Sequence, residues 1–518
     1  MLDGIRVYDP INTQGYFSSY SYLSLDNLDK VEVSRGPFSS LYGSQSIGGS
    51  INMITHKGKG KPTFSYLQEI GSYNTYKEKI STQGKLGKLA YSFGASRTDV
   101  RSFYETKFKN GNHERDPFGN TNTSLRLDYE LNENLEIGVS ERYSYARYDY
   151  DNGWSAPPSD DLINLSKFQQ NIGAVYVKNR INDSLSHKFT YGVVDTQRRG
   201  WETGGDYWYR GKSNQFKYSL DYKPALFYNL IAGYDYTGDT GEFYNYGSEP
   251  KHRANSKGVY LENIFRPIDN LFVSFIVREE NHSTAGNNTT YGLSSSYFIE
   301  PTSTKIKFSL GTGFRAPSLY ELFGSYVGKR DLSPEKSKSG EIGFEQWLLD
   351  KKLSFGSTFF DTKINNKIDY KATGPYTGEY DNIGKAEIYG VENFVEYRFN
   401  DDTSLRLTYD YMHAQNEEDK TRLLRRPENK LGLLFNTMLG KLKVSPELYY
   451  VGDRIDTCSS VNYKLKSYIL LNLGLNYKFN DNFEIFGRAE NILNYDYQLV
   501  YGYETPKASF YAGAKFSF

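Results

Sequence analysis

A chain of 518 residues with 62 basic and 62 acidic side chains offers no electrostatic case for binding nucleic acid. Only 38% of residues are hydrophobic and mean hydropathy is -0.66, yet 16% are aromatic (48 Tyr and 32 Phe among them), which excludes ordinary disorder. No apolar run reaches the roughly 18 residues of a membrane-spanning helix, and the single Cys458 excludes an internal disulfide or a Cys-rich metal site. Few apolar and many aromatic residues suit one architecture, a transmembrane β-barrel with lipid outside, a polar lumen and aromatic girdles at its rims.

Met1-Leu2-Asp3-Gly4 is too polar for a secretion signal and leads straight into a fold, so the N-terminus reads as incomplete for an exported protein. Residues 1–57 differ from the rest of the chain. Val31–Val33 and Ile51–Thr55 read as short strands flanking a glycine cluster that includes Gly36, Gly43, Gly48 and Gly49. A wide barrel needs its lumen filled. Residues 1–57 are therefore expected inside as part of a plug, with 58–518 forming the wall.

Beyond residue 57 period-two alternation recurs. Ile306, Phe308 and Leu310 oppose Lys305, Lys307 and Ser309; Leu405, Leu407 and Tyr409 oppose Arg406 and Thr408; Leu473 and Leu475 oppose Asn472, Gly474 and Asn476. Leu405, Leu407, Leu473 and Leu475 are expected against lipid. Short polar turns such as Gly84–Lys88, Arg266–Asn270 and Phe479–Asn482 alternate with longer Gly-, Asn- and Tyr-rich connections. About ten of the first and eleven of the second predict an all-β fold, an antiparallel barrel of about 22 strands. The last strand alternates Phe510, Ala512, Ala514, Phe516 and Phe518 to the end of the chain.

Two connections carry chemistry. Asp149, Asp151, Asp160 and Asp161 fall in one of them. Clustered carboxylates are the ligands that calcium takes, although loop acids are also commonly just solvated. Trp201, Tyr207, Trp208 and Tyr209 crowd another. Such residues make rigid amphipathic surfaces for a bulky ligand, or else belong to the aromatic girdle. No His-Glu-x-x-His, nucleophile elbow or phosphate-binding loop appears, so no catalytic residue is expected; Gly311-Thr312-Gly313 lacks the third glycine and the subsequent helix.

The stretch Val31-Glu32-Val33-Ser34-Arg35-Gly36-Pro37, with Leu41-Tyr42-Gly43 and Ile47-Gly48-Gly49-Ser50-Ile51-Asn52-Met53-Ile54-Thr55, resembles the end of the plug domain of TonB-dependent outer-membrane receptors. Gly311–Phe323 (GTGFRAPSLYELF) with Leu332-Ser333-Pro334-Glu335 resembles that family's central barrel segment. Gly384–Glu392, Leu423–Pro427 and Asn491–Tyr497 are similar to the cobalamin receptor subgroup. Phe314-Arg315-Ala316-Pro317 matches half of a haem-receptor signature, but Asp331-Leu332-Ser333-Pro334 stands where the other half belongs.

The resemblance implies a multi-pass protein of the cell outer membrane, surrounded by lipid and monomeric. It would actively take up a scarce ligand, with no enzymatic activity and no covalent cofactor, and with calcium as the one candidate ion. The ligand expected is cobalamin or a related corrinoid. A ferric siderophore is the alternative, haem a weaker one, and a passive porin the reading of another class. The partner implied is the TonB complex, whose binding box, with earlier plug sequence, is expected ahead of Asp3. Asn12-Thr13-Gln14-Gly15-Tyr16-Phe17 resembles the apical plug loop that touches cobalamin. In the family an arginine matching Arg35 meets barrel glutamates, and Glu341 and Glu392 hold the matching positions. Alternation points both carboxylates into the lumen.

Overall fold

The computed structural model describes all residues except 13–18, 38, 107–113, 152–156, 203–204, 246–249, 375–376 and 459–460. Two strands come first, β1 (Leu28–Arg35) and β2 (Gly49–Thr55), with the short helix α1 (Ser39–Tyr42) between them. The wall then runs through β3 (Thr63–Gly71), β4 (Thr75–Leu86), β5 (Leu89–Val100), β6 (Phe118–Glu130), β7 (Leu135–Asp149), β8 (Leu165–Asn182) and β9 (Leu185–Glu202). Next are β10 (Gly205–Ala225), β11 (Tyr228–Asn245), β12 (His252–Ile268), β13 (Leu271–His282), β14 (Gly286–Ile299) and β15 (Thr304–Arg315). After helix α2 (Leu319–Phe323) come β16 (Glu335–Leu348), β17 (Leu353–Gly374), β18 (Thr377–Arg398), β19 (Ser404–Asn416), β20 (Asn429–Leu439) and β21 (Leu442–Val451). A small hairpin, β22 (Arg454–Cys458) with β23 (Val461–Leu465), precedes β24 (Tyr468–Lys478), β25 (Phe483–Glu490) and β26 (Ser509–Ser517).

Twenty-two of these strands, all but β1, β2, β22 and β23, form one closed antiparallel barrel. It is sealed by β26 against β3, with Phe516 opposite Tyr66. Every hydrogen-bonding edge of the wall is thereby used, which a bilayer requires. The β22–β23 hairpin lies within a stretch that reads as a loop by sequence, residues 452–466.

Each wall strand has two faces. Along β8, Ser166, Phe168, Gln170, Ile172 and Ala174 are buried toward the lumen, while Val175 is 46% exposed on the outside. Leu407 and Leu475 are likewise open to the outside. Between Leu405 and Leu407, Arg406 turns inward to Glu396 at 2.9 Å. Short turns close the inner rim; Gly87 and Gly440 adopt φ of +60 and +63 there, a conformation that costs other residues a steric clash. Tyr477, Phe479, Phe483 and Phe516 pack around that rim, the first pair edge-on and the others stacked, at centroid distances of 4.8 to 5.2 Å, an aromatic girdle.

The described residues of 1–55 sit within the ring. Leu2, Ile5, Val7 and Met53 form an apolar cluster with Ile172, Ala174 and Val194 of the wall. Gly192 of β9 makes room for this, because an added Cβ would stand 2.3 Å from Ile5 Cδ1.

Candidate functional site: plug, lumen and outer mouth

The plug is held to the wall largely by polar groups. Gln215 of β10 accepts from the Arg6 backbone N–H at 2.9 Å and donates to its carbonyl at 2.7 Å, adding one edge contact to the segment Asp3–Ile11. Lys217 donates to the Gly4 carbonyl at 2.6 Å. The Arg6 guanidinium donates to Thr237, and the Tyr8 hydroxyl to Asp239. Asp9 takes Arg198 at 3.1 Å.

Beside these contacts lies a buried charge cluster. Arg278 of β13 is shut from solvent and engages Asp235 at 2.6 Å and Glu280 at 2.7 Å. Gly43 of the plug rests on it, at φ +78. A Cβ there would fall 2.7 Å from Glu280 Oε2, 2.9 Å from Arg6 Nη1 and 3.0 Å from Arg278 Nη2. Only glycine meets both the backbone and the space requirement. Sequence reading missed this cluster. Its one signal was an arginine and a glutamate at inward positions two apart on β13.

On the other side of the plug Arg35 forms an ion pair with Glu392 of β18. Glu341 of β16 lies against the next plug residue; an added Cβ on Gly36 would be 3.4 Å from its Oε1. A cavity of about 100 Å³, lined by Arg35, Ser40, Glu262, Ser294 and Glu341 among others, separates the plug from β12–β16 here. The pair is therefore wet, and Arg35 keeps 63% of its side chain exposed.

At the outer mouth the Gly311–Phe323 motif folds inward. Ser318 and Glu321 close a reciprocal capping box that starts α2. Arg315 is clamped between Glu321 at 2.8 Å and Glu335 at 2.9 Å, all three buried. α2 then packs Leu319 against Ile11 of the plug and Phe243 and Ala254 of the wall. Tyr320 meets Tyr209 edge-on at 5.8 Å. A second aromatic face forms where Tyr22 of the plug stacks on Phe168 at 4.6 Å and Tyr148 at 5.7 Å.

Trp201, Tyr207, Trp208 and Tyr209 do not form a loop as the sequence suggests. They lie in β9 and β10, which run on as an antiparallel ladder to Glu202 and Gly205. Aromatic residues are good strand formers, and strands of 18 and 21 residues outrun the bilayer. Alternation then splits the group. Tyr207 and Tyr209 point into the mouth, and Trp201 and Trp208 point outward. Asn12 lies in the plug apex, its N–H bonded to the Asp9 carbonyl at 3.0 Å, while Thr13, Gln14, Tyr16 and Phe17 fall outside the described residues.

The acidic residues also regroup. Asp151 and Asp160 do converge, but with carboxylates from the connection between β5 and β6. Ligand atoms of Glu105, Asp116 and Asp151 lie within 4.8 Å of one another, as do those of Glu114, Asp151 and Asp160. Asp149, the last residue of β7, and Asp161 belong to neither group. Asp161 turns its backbone N–H to Asp151 instead, at 3.2 Å. Loss of solvent, reinforced by the neighbouring negative charges, pushes the Glu105 and Glu114 carboxyls up to about 7 and Asp116 up to about 6.

Residues 1–50 match the TonB-dependent Receptor Plug Domain, and 61–492 match the family described as TonB dependent receptor-like, beta-barrel. A curated relative, the vitamin B12 transporter BtuB of Photobacterium profundum, is 25% identical over 535 residues, covering 100% of this chain and 84% of that protein. Among solved structures, the siderophore receptor PirA from Acinetobacter baumannii superposes with a TM-score of 0.83 at 16% identity, covering 97% of this chain and 87% of that one. A mutant of the ferric enterobactin receptor PfeA from Pseudomonas aeruginosa gives 0.85 at 16%, covering 100% and 90%. These two likenesses speak for the fold. With a plug match, a barrel match over most of its length and a closed wall of 22 strands, the chain belongs to the TonB-dependent receptors, multi-pass transport receptors of the outer membrane.

Proposed function

We propose that this receptor takes up a bulky ligand of low net charge, a corrinoid of the cobalamin type. The observation that carries the reading is that four cations beside the mouth are already taken by carboxylates. Arg198 is taken by Asp9 at 3.1 Å, Arg315 by two glutamates, Lys329 by Asp381 at 2.7 Å and Arg425 by Asp456 at 2.7 Å. A strongly anionic ferric siderophore would call for unpaired cations there. What the mouth offers instead is rings and neutral polar groups, Tyr22, Tyr207, Tyr209 and Tyr320 among them. A corrin with amide arms suits such a surface. The curated B12 relative supports the same reading.

In this reading ligand settles on the apex of the plug, at Asn12 and its C-terminal neighbours, and the loops close over it. Residues 1–57 then act as the movable unit. Arg35, Glu341 and Glu392 serve as a releasable lock, since a charge pair in a wet cavity exchanges for water at modest cost. The acidic group at Glu105, Glu114, Asp116, Asp151 and Asp160 fits a hard cation such as calcium, which would neutralise carboxylates that otherwise repel. It would tie the two connections together beside the mouth.

Titration of the folded receptor with cyanocobalamin and with ferric siderophores tests the ligand. Saturable corrinoid binding is expected. Tight siderophore binding without corrinoid binding overturns the proposal.

A further inference from the structure

We propose that the outward face of β7–β10, where these strands stand above the bilayer, binds the phosphate groups of the outer-leaflet glycolipid. This inference stands apart from the identity of the transported ligand. A crossing of the hydrocarbon core uses about ten residues of a tilted strand. From the inner turn at Leu185, that length carries β9 to the neighbourhood of Asp195. The strand continues to Glu202, and β8, β10 and β11 are as long or longer.

On this emergent part three cations stand abreast. Arg147 of β7 lies opposite Lys167 of β8, and Lys167 opposite Arg199 of β9. Arg199 in turn faces Trp208 of β10. Their sequence neighbours Ala146, Ser166, Phe168 and Gly200 are buried toward the lumen, so the three side chains point outward. Lys212 and Arg253 lie nearer the membrane on the same outer face, each opposite Thr240.

Two acids of the same surface are already engaged, Asp195 by Arg210 at 2.7 Å and Glu242 by Lys251 at 2.7 Å. Among the described residues no carboxylate oxygen lies within 4.0 Å of Arg147, Lys167, Arg199, Lys212 or Arg253. Asp149 and Asp206, at the outer ends of β7 and β10, form no ion pair at that distance, although Asp149 is close enough to feel the charge of Arg147.

Like charges on directly opposite residues destabilise a sheet, so a row of three favours a counter-anion from outside the chain. Height selects which one. The row stands where the headgroups and inner sugars of the outer leaflet are, and phosphate suits arginine through paired donors. Trp201 and Trp208 flank the row, with Lys167 Nζ 4.8 Å from the Trp201 ring. Amphipathic rings sit well beside a sugar and acyl boundary. On the far side of the wall Lys363, which lies opposite Lys338, is neutralised by Glu387 at 2.8 Å.

The test is titration of the detergent-solubilised receptor with lipopolysaccharide carrying bisphosphorylated lipid A, read by tryptophan fluorescence, since two tryptophans lie in the patch. Saturable binding is expected, weakened at least tenfold in the Arg147→Gln/Lys167→Gln/Arg199→Gln variant and with enzymatically dephosphorylated lipid. Heat-modifiable migration on gels verifies that the variant barrel is folded. A control variant on the far side, Lys338→Gln/Lys363→Gln/Lys371→Gln, should bind as the parent does. Unchanged affinity in the first variant, unchanged affinity for dephosphorylated lipid, an equal loss in the control, or no saturable binding by the parent would each overturn the proposal.

Discussion

Arg278 shows what a single residue does here. Its guanidinium is fully enclosed and neutralises two carboxylates, Asp235 and Glu280. Replacing it by methionine keeps the volume and removes the charge, leaving two acids buried without their partner. Such a loss costs about 3–5 kcal/mol. Arg278→Met should unfold at clearly lower denaturant than the parent in lipid vesicles; an unchanged midpoint would show the cluster to be solvated. Arg35 is the contrasting case. It is half open to a wet cavity, so its pair with Glu392 contributes little to overall stability. Its expected effect is on retention of the plug. The Glu341→Gln/Glu392→Gln variant should leak small solutes faster through reconstituted barrels while its unfolding midpoint barely moves. Equal leakage in parent and variant would remove the lock role. Arg35 and its glutamates could be picked from the sequence because a motif names them. The Arg6–Arg278 cluster could not, because its members come from β11, β13 and a plug segment more than 200 positions away, and nothing local marks them as partners.

At the scale of the element, wall strands are the most legible feature. Leu473 lies in the middle of β24, opposite Pro446 on β21 and Ala489 on β25. It sits near the bilayer midplane, where an outward-facing arginine costs about 2–4 kcal/mol. Leu473→Arg should lose that much folding stability in lipid, and a negligible loss would put the residue on the other face. Helix α2 starts from the Ser318–Glu321 box, so Ser318→Ala should remove about 1 kcal/mol from its first turn. Proteolysis of the connection between β15 and β16 is the readout, and an unchanged cleavage rate would show that packing alone holds the helix. Reading failed where strands outran the membrane. Trp201, Tyr207, Trp208 and Tyr209 carry the same alternation as residues deeper in the wall, but their polar surroundings imitate a loop. Hydropathy shows where the bilayer ends. It does not show where the ladder ends.

The whole molecule couples its loops through charge. Glu105, Glu114 and Asp116 come from the connection before β6, and Asp151 and Asp160 from the one after β7. If calcium sits between them, a chelator should lower the thermal midpoint of the folded receptor and weaken ligand binding, and Asp151→Asn should reproduce both effects. A receptor indifferent to chelation would leave these acids as solvated loop residues. Such convergence is invisible in sequence for the same reason as the charge cluster in the lumen. The acids within one connection could be read, but not which other connection would meet them.

The seam between β3 and β26 joins the first strand of the ring to its last, and this sets an order of events during biogenesis. Until that seam forms the wall is an open, curling sheet with two unsatisfied margins. The plug meanwhile engages β4–β11 on one side and β13–β18 on the other. A ring that sealed early would confront the plug with a finished pore and force it to thread through. Because closure waits for β26, the wall can wrap around material already resting on its concave face. A gate of this kind can be enclosed by its wall rather than inserted into it, and the pairing of the last strand with the first is the step that shuts it in.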